Sequence, residues 1–214
     1  MSTLGVNKVV GRGAAPVSAA PNADYELVRR CQQGDPAAFE ELVGKYQDRI
    51  FNLVYRLIGR YEDAQDATQD VFLRALEHIA DFRQQAQVYT WLFRIAVNLA
   101  VSHRRRAGRV GFRSLSGGED GDSSLADSLT SGLAERREAS PSAAAGAAEL
   151  AERVRQALDD LDEEFRTVVV LRDIEEMDYG QIAQVLELPA GTVKSRLHRA
   201  RGLLRVKLAD VAAE

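Results

Sequence analysis

The sequence has few of the residues that build disulfides and metal centres. Its 214 residues include one cysteine, Cys31, and three histidines, which are His78, His103 and His198. One cysteine cannot form a disulfide within the chain, and the scattered histidines do not have the spacing of metal ligands. We therefore expect neither an internal disulfide nor a bound metal. The composition is typical of a protein of the reducing cytoplasm.

Aromatic residues and long apolar runs are also scarce. Aromatics make up 7% of the chain, and no long run of Val, Ile and Thr indicates strands. No stretch approaches the roughly 18 apolar residues that a membrane span needs. Residues 1–23 contain no apolar core of the length found in secretory signal peptides, so a disordered N-terminal tail is expected there. These features predict an all-α protein that does not insert into a membrane.

Motifs for catalysis are missing as well. The sequence contains no glycine-rich phosphate loop, no nucleophile beside a base in a recognisable motif and no metal cluster. We therefore expect a protein that is not an enzyme and that uses neither a cofactor nor a small-molecule substrate.

Residues 24–106 have an almost continuous helical pattern and predict a compact domain. Asp35 and Pro36 are typical of a helix start, and Gly59 marks the end of the same helix. Further helices are expected at about 25–33, 61–79 and 88–105. The residues expected to face the core recur at helical spacing and are Phe39, Leu42, Val43, Tyr46, Ile50, Val54, Leu57, Ala64, Ala67, Val71, Phe72, Leu76, Trp91, Leu92, Ile95, Ala96 and Leu99.

A change of composition follows this domain. Residues 107–148 are dominated by Gly, Ser, Ala and acids without a lasting apolar period, which indicates a flexible linker. Fully extended, it would span roughly 140 Å at about 3.3 Å per residue. Helical pattern returns in residues 149–209, and 210–214 form a short tail. The expected fold is two small helical domains joined by a flexible linker.

The second domain ends in a predicted helix-turn-helix. Asp178, with Gln181 three residues later, is a capping-box start for a short helix, and Pro189 breaks the chain after it. Residues 190–207 then form the last helix, as expected for a unit that reads DNA. The side of that helix expected to pack on the preceding helices carries Val193, Leu197, Ala200 and Leu204.

Charge is distributed very unevenly along this domain. The chain has a net charge of −4, but residues 149–187 contain 4 Arg and 12 Asp or Glu, whereas 190–207 contain six Lys or Arg and no acid. A basic helix on an acidic body is a focused electrostatic surface that suits DNA binding, although a merely solvated basic face is the alternative. The residues expected to contact DNA are Thr192, Lys194, Ser195, Arg196, His198, Arg199, Arg201 and Arg205.

Several strings together resemble the extracytoplasmic-function (ECF) sigma factors of bacterial RNA polymerase. They are AFEELVGKYQDRIFNLVYRLIG, YEDAQDATQDVFLRAL and YTWLFRIAVNLAVSHRRR in the first domain, and DYGQIAQVLEL with PAGTVKSRLHRAR in the second. The resemblance covers roughly 24–106 (sigma region 2) and 149–209 (region 4). It implies that the first domain binds core polymerase and opens the −10 element. It also implies that the second reads the −35 element and contacts the polymerase flap.

The resemblance also assigns a polymerase-binding face. Asp63, Asp66 and Asp70 form an acidic stripe at helical spacing. The resemblance implies that this stripe docks on a coiled coil of the largest polymerase subunit, where complementary charge would orient the encounter. A solvated helix face is the alternative. The full set assigned to polymerase binding is Asp63, Asp66, Gln69, Asp70 and Phe72.

Strand opening is assigned by the resemblance to residues 82–106. A protein without ATP hydrolysis melts DNA only by binding the single-stranded form more tightly, through stacking and pockets for flipped bases. The loop 82–88 would form such a pocket. Core packing is the alternative for Trp91, and a helix-dipole effect is the alternative for the three arginines 104–106. The residues assigned to the −10 element are Phe82, Arg83, Tyr89, Trp91, Arg94, Asn98, Arg104, Arg105 and Arg106.

Three points stay open in the sequence: the geometry of one turn, the competing function and the regulation. Glu187 stands in the turn where family members often carry Gly, so the turn is expected to be strained or altered. The competing function is a dimeric helix-turn-helix repressor or activator. Many ECF relatives are restrained by an anti-sigma protein, which makes such a partner a candidate here; control by synthesis or by the N-terminal tail is the alternative.

Overall fold

The computed structural model describes residues 21–113 and 141–209, with side chains from 23–106 and 149–209. We call 21–113 the first half and 141–209 the second half. Every regular element in these two ranges is helical, which confirms the all-α fold class. The helices are α1 (Pro21–Gln32), α2 (Pro36–Ile58), α3 (Tyr61–His78), α4 (Val88–Arg113), α5 (Pro141–Asp159), α6 (Glu163–Val169), α7 (Tyr179–Leu186) and α8 (Ala190–Lys207).

The helices reach further than the sequence predicts. α1 begins at Pro21 inside the predicted tail, α4 continues to Arg113, and α5 starts at Pro141 inside the predicted linker. An established helix extends readily, because each added residue gains one hydrogen bond without a new nucleation cost. The rest of the predicted tails and linker, residues 1–20, 114–140 and 210–214, lies outside the described residues.

The boundaries of α2 follow the predicted capping residues. The Asp35 side chain accepts a hydrogen bond from the backbone N–H of Ala37 at 3.0 Å, so it satisfies a donor that the first helical turn leaves free. At the other end, Gly59 has a φ of 88° and its N–H bonds to the carbonyl of Tyr55. This left-handed position is one that glycine adopts without steric cost.

α1 to α4 enclose the core of the first half. The predicted apolar positions are buried with a few exceptions: Phe39, Val43 and Ile95 are half-buried, whereas Leu76 is 50% exposed. The prediction that Leu76 faces the core is therefore wrong. Ala75 takes the inward position instead, since it continues the stripe of Ala64, Ala67 and Val71 at helical spacing.

The second half contains an irregular helical segment between α5 and α7. α6 ends at Val169 and continues as one π-helical turn, Val170–Ile174. Next, Glu176 adopts a φ of 56°, which turns the chain towards α7. The capping box of α7 is confirmed, since Asp178 and Gln181 bond reciprocally at 2.8 and 2.9 Å.

The two halves share one core. Apolar side chains of the second half are buried in a cluster that is continuous with the core of α2 and α4; these are Val170, Leu171, Met177, Ile182, Val185 and Val193. α7 lies against α4, and the segment 163–174 lies against α2. A second cluster, inside the second half, packs Leu158, Leu161, Val168 and Val169 on Leu197 and Ala200 of α8.

Arg166 ties the backbone at this junction. Its guanidinium is 1% exposed and donates to the carbonyls of Leu158, Asp159 and Leu161 at the end of α5, and to the carbonyl of Leu57 in the last turn of α2. The last carbonyls of a helix have no hydrogen-bond donor within that helix. By donating to these carbonyls, the buried arginine holds the ends of α5 and α2 together.

The turn of the helix-turn-helix has the backbone strain expected from its sequence. Glu187 has φ 53° and ψ 42°, a left-handed conformation that is costly for a residue with a side chain. Its N–H nevertheless closes α7 by bonding to the carbonyl of Ala183. Its carboxylate lies 3.5 Å from the guanidinium of Arg94 in the first half.

Replacing Glu187 by Gly is expected to stabilise the protein. Gly removes the steric cost of the left-handed backbone, a gain of about 1 kcal/mol, and the exposed pair with Arg94 is worth little by comparison. We expect the thermal midpoint to rise by roughly 3 °C in a calorimetric scan. Glu187→Ala is the control, because it removes the ion pair and keeps the strain; an equal rise for Ala would contradict the explanation.

Candidate nucleic-acid and polymerase interfaces

The recognition helix α8 presents a basic, exposed face. Val193, Leu197 and Ala200 are buried beneath it and Leu204 is half-buried, as predicted. Of the residues that the sequence assigns to DNA contact, Thr192 and Arg196 are half-buried. The exposed ones are Lys194, Ser195, His198, Arg199, Arg201 and Arg205. The face therefore combines small polar groups with cations, as major-groove contact requires.

Acids of the second half pair with two of these cations, Arg201 and Arg196. Arg201 donates to both carboxylate oxygens of Asp173 in the π-helical turn, and these hydrogen bonds raise the pKa of Arg201. Arg196 pairs with Glu164 at 2.7 Å. Acids within residues 149–187 thus fix the orientation of two cations of the basic helix. Each of these ion pairs must break or rearrange before its cation can contact a phosphate.

Tyr179 supports the start of the recognition helix. The guanidinium of Arg172 lies 5.1 Å from the centre of its ring, and the ammonium of Lys194 lies 5.5 Å from it. Cations placed over an aromatic face are attracted by its quadrupole. Neither Tyr179 nor Arg172 was singled out by the sequence, because the contact joins two helices and a turn.

On the first half, the face of α4 carries Arg94, Asn98 and Arg105 at helical spacing. Asn98 is exposed, whereas Arg94 is half-buried and pairs with Glu187. Arg105 pairs with Glu163 at 3.1 Å. The structure therefore places these three predicted residues along one face of α4, and it sets two of them against the second half.

The loop before α4 exposes polar side chains. Phe82 turns inward, where its ring lies 5.2 Å from that of Trp91 and 6.2 Å from that of Tyr25. Arg83 stands exposed beside the amides of Gln84 and Gln85. These amides lie in the loop 82–88 that the sequence assigned to the pocket, and they offer donors and acceptors for the edge of a base.

Two of the assigned residues lie in the core, where the apolar pattern also placed them, and a third lies at the junction of the halves. Trp91 is 7% exposed and packs in the core, which was its alternative. Phe72 is 8% exposed, so it does not belong to the acidic face. Arg104 donates to the carbonyl of Leu57 at 3.0 Å and lies at the junction of the halves. Of the three arginines, only Arg106 has an exposed side chain without an ion pair among the described residues.

The acidic face of α3 is accessible. Asp66, Gln69 and Asp70 are exposed, and Asp63 is half-buried beside Arg60 and His103. Two apolar residues that the sequence assignment missed, Leu73 (59% exposed) and Leu76, lie on the same helix. Exposed apolar side chains next to charges are typical of a protein-binding surface. The sequence pattern leaves Leu73 outside the core stripe of α3, whereas it placed Leu76 inside that stripe.

The junction of the halves contains a buried ion-pair cluster. The side chain of Glu175 is 6% exposed and accepts from Arg49 at 3.1 Å and from Arg56 at 3.2 Å. Arg49 also lies over the rings of Tyr89 and Phe93. Burial lowers the pKa of Arg56, and the charge of Glu175 opposes that shift. Sequence reasoning named none of the three charged residues.

Neither a metal site nor a membrane span is found in the described parts of the chain. No group of His, Cys, Asp and Glu side chains within 21–113 and 141–209 is arranged to hold a metal ion. No helix in these ranges combines the length and the apolar character that crossing a bilayer requires.

Comparison with known proteins matches both halves. The model of the Sigma-70 region 2 family matches residues 42–110, and that of the Sigma-70 region 4 family matches 151–204. The RNA polymerase sigma-H factor of Pseudomonas aeruginosa is 38% identical over 83% of this chain and 90% of its own length. The ECF RNA polymerase sigma factor SigW of Bacillus subtilis is 32% identical over 86% of this chain and 96% of its own.

Solved structures share the fold. CnrH in complex with the cytosolic domain of CnrY superposes with a TM-score of 0.60 at 25% identity, covering 88% of this chain and 98% of that one. The sigma factor RpoE of Bartonella quintana, in complex with the anti-sigma factor NepR, gives a TM-score of 0.58 at 20% identity, covering 80% and 96%.

The chain belongs to the sigma-70 family of transcription initiation factors. Within that family it is an ECF sigma factor, an alternative sigma factor that binds core RNA polymerase and directs it to promoters. The identity of 32–38% over most of the chain sets aside the competing reading of a dimeric repressor.

Removing the acid that pairs with Arg201 is expected to strengthen duplex binding. In Asp173→Asn the guanidinium is free to reach a phosphate, so the affinity for a random-sequence duplex is expected to rise several-fold and the plot of log K against log salt to steepen by about 1. The control is Glu176→Gln, which removes an exposed acid of the same half that forms no ion pair among the described residues. An equal gain in duplex affinity for both variants would mean that the net charge of the protein, and not the release of Arg201, determines that affinity.

Proposed function

We propose that three surfaces of this sigma factor have separate roles. The exposed face of α8 reads the −35 element, the face of α4 with the loop before it binds and opens the −10 element, and α3 docks on the clamp coiled coil of the largest polymerase subunit. The single observation that carries the proposal is the placement of a basic exposed face on the recognition helix of a region 4 domain. The flap of the polymerase is the proposed contact of that domain.

The proposal is supported by complementary chemistry at each surface. α8 offers cations for two phosphate ridges and small polar residues between them. The face of α4 offers arginines and an amide near aromatic side chains, which suits a single strand with unstacked bases. The acids and leucines of α3 suit a partner that is basic at its rim and apolar at its centre.

Cellular context is also part of the proposal. We place the protein in the cytoplasm, where core polymerase and promoters are found. An anti-sigma protein is proposed as a partner, supported by the structural neighbours CnrH and RpoE, whose structures contain CnrY and the anti-sigma factor NepR. Proteins that co-purify with the chain test this; recovery of polymerase subunits alone would contradict it.

The promoter-reading role is tested by two substitutions on α8. Arg199 is exposed on the face that is expected to meet base edges, so Arg199→Ala is expected to cost about 1–3 kcal/mol at a cognate −35 element and little on other duplexes. Lys194→Ala is the matched control, because a phosphate contact weakens all duplexes alike. Transcription by the reconstituted holoenzyme from a promoter library identifies the cognate site. Equal losses on all sequences for Arg199→Ala would refute its base-reading role.

The docking role is tested by charge reversal on α3. Asp66 is exposed on the acidic face, so Asp66→Lys is expected to weaken binding to core polymerase about tenfold or more, because like charges then meet at the contact. Circular dichroism should show unchanged folding. Glu40→Lys reverses an exposed acid of α2 as the control. Polymerase affinity that is unchanged by Asp66→Lys would contradict the assignment of this face.

A further inference from the structure

The first helix, α1, holds both ends of the loop 82–88 that precedes α4. At the start of the loop, the side-chain amide of Gln32 donates to the carbonyl of Ile79 at 2.8 Å and to that of Phe82 at 3.0 Å. Near the end of the loop, the hydroxyl of Tyr25 donates to the carbonyl of Ala86 at 3.3 Å. These partners are 47 to 61 positions apart in the sequence, so no local pattern predicts the contacts.

Aromatic rings connect α1 to the loop and to α4. The ring of Phe82 lies 6.2 Å from that of Tyr25 and 5.2 Å from that of Trp91. Phe82 is half-buried, and Trp91 is 7% exposed. Tyr25 therefore contacts the loop twice, through its ring at residue 82 and through its hydroxyl at residue 86.

The loop that α1 contacts contains strained backbone. Gln84 adopts a φ of 57°, a left-handed conformation that is costly for a residue with a side chain. Backbone of this kind persists only where the surrounding structure restrains it. The hydrogen bonds from Gln32 and Tyr25 supply such restraint, because they fix two carbonyls on either side of residue 84. Arg83 and Gln85, the neighbours of the strained residue, are both exposed.

Both ends of α1 are themselves anchored to α2. Asp24 is 7% exposed, and its carboxylate accepts from the hydroxyl of Tyr46 at 2.7 Å and from the ammonium of Lys45. In the last turn of α1, the guanidinium of Arg30 donates to the carboxylate of Asp35, the N-cap of α2, at 2.7 and 2.9 Å. Buried polar networks whose members are all bonded restrain the elements that they join. α1 is therefore a fixed support for the loop.

We propose that α1 positions the loop 82–88 for strand opening and that Gln32 and Tyr25 are the positioning residues. Each side chain acts through the backbone of the loop and needs no contact with DNA. A loop that is ordered before DNA arrives loses less conformational entropy when it binds an unpaired base. The effect on opening rests on the proposed −10 surface, whereas the ordering of the loop by α1 does not.

The ordering of the loop is tested with the one tryptophan of the chain. Trp91 packs on Phe82, so its quenching by acrylamide reports whether the loop stays in place. Gln32→Met keeps the length of the side chain without its N–H donors, and Tyr25→Phe removes only the hydroxyl. In the free full-length chain we expect each variant to raise the quenching constant about twofold or more, because a segment with fewer restraining contacts opens more often. Gln33→Met alters the exposed neighbour and is expected to leave quenching unchanged.

The effect on strand opening is tested with the reconstituted holoenzyme. On the promoter that the unmodified chain selects from the library, we expect Gln32→Met to slow open-complex formation about tenfold, because it removes two hydrogen bonds to the loop. The affinity for core polymerase is expected to stay unchanged, because the acidic face of α3 is left intact.

A rescue experiment separates the donor at position 32 from the charge of the protein. Gln32→Lys restores an N–H donor and is expected to recover most of the opening rate. Gln33→Lys in the Gln32→Met background adds the same charge without that donor and is expected to leave opening slow. Equal recovery in both would overturn the role of the Gln32 hydrogen bonds.

Failure of the positioning role is distinguished from failure of the −10 surface by Arg83→Ala, which alters an exposed residue of the loop and leaves α1 intact. If Arg83→Ala slows opening and Gln32→Met does not, the positioning role is overturned. If quenching rises in Gln32→Met but neither variant slows opening, the −10 surface has failed and α1 orders a loop without a role in opening. Unchanged quenching in both Gln32→Met and Tyr25→Phe overturns the ordering itself. If Gln32→Met fails to fold by circular dichroism, Tyr25→Phe is used in both tests.

Discussion

The arrangement of the whole molecule depends on one buried carboxylate and the two guanidinium groups that enclose it. Glu175 follows the π-helical turn of the second half, whereas Arg49 and Arg56 lie two turns apart on α2 of the first half. A charge that is removed from water must have a partner, and among the described residues both ion-pair partners of Glu175 come from the first half. The pair therefore specifies which faces of the halves meet, and the apolar cluster around it supplies most of the attraction.

In this arrangement, acidic and basic segments that are separate in sequence lie next to each other in space. Basic residues lie on α8 and on the face of α4, and the acids between them in sequence lie close to both in space. Asp173 and Glu164 hold cations of α8, while Glu163 and Glu187 reach cations of α4. Each of these carboxylates offers a guanidinium the same kind of acceptor that a DNA phosphate would.

In the turn of the helix-turn-helix, the residue that stands in place of the family's usual Gly also contacts the other half of the molecule. Family members often carry Gly where this chain has Glu187, and the residue takes the left-handed backbone that Gly would adopt without strain. The side chain that causes the strain is also the one that reaches Arg94 in the other half. Glu187 in place of Gly thus strains the turn and at the same time adds a contact between the halves.

Local patterns in the sequence predicted local structure well. The caps at Asp35 and Asp178, the end of α2 at Gly59 and the buried side of α8 depend on neighbours within four residues, and all are as predicted. Leu76 was misplaced because adjacent positions of a helix differ by about 100°, so a stripe that shifts by one residue changes its face. The sites were predicted as residue sets, but whether each member was exposed, as Asn98 is, or buried, as Trp91 is, depended on packing between helices.

The sequence by itself determined the all-α class, the helix-turn-helix with its basic face and the resemblance to ECF sigma factors, because short-range periodicity, capping and charge carry that information. Only the tertiary structure decided how the halves meet. Arg49 and Glu175 are 126 positions apart, and Leu57 and Arg166 are 109 positions apart. No periodicity connects residues at such separations. Their pairing follows from the burial of shared apolar surface, which exists only once the helices have packed.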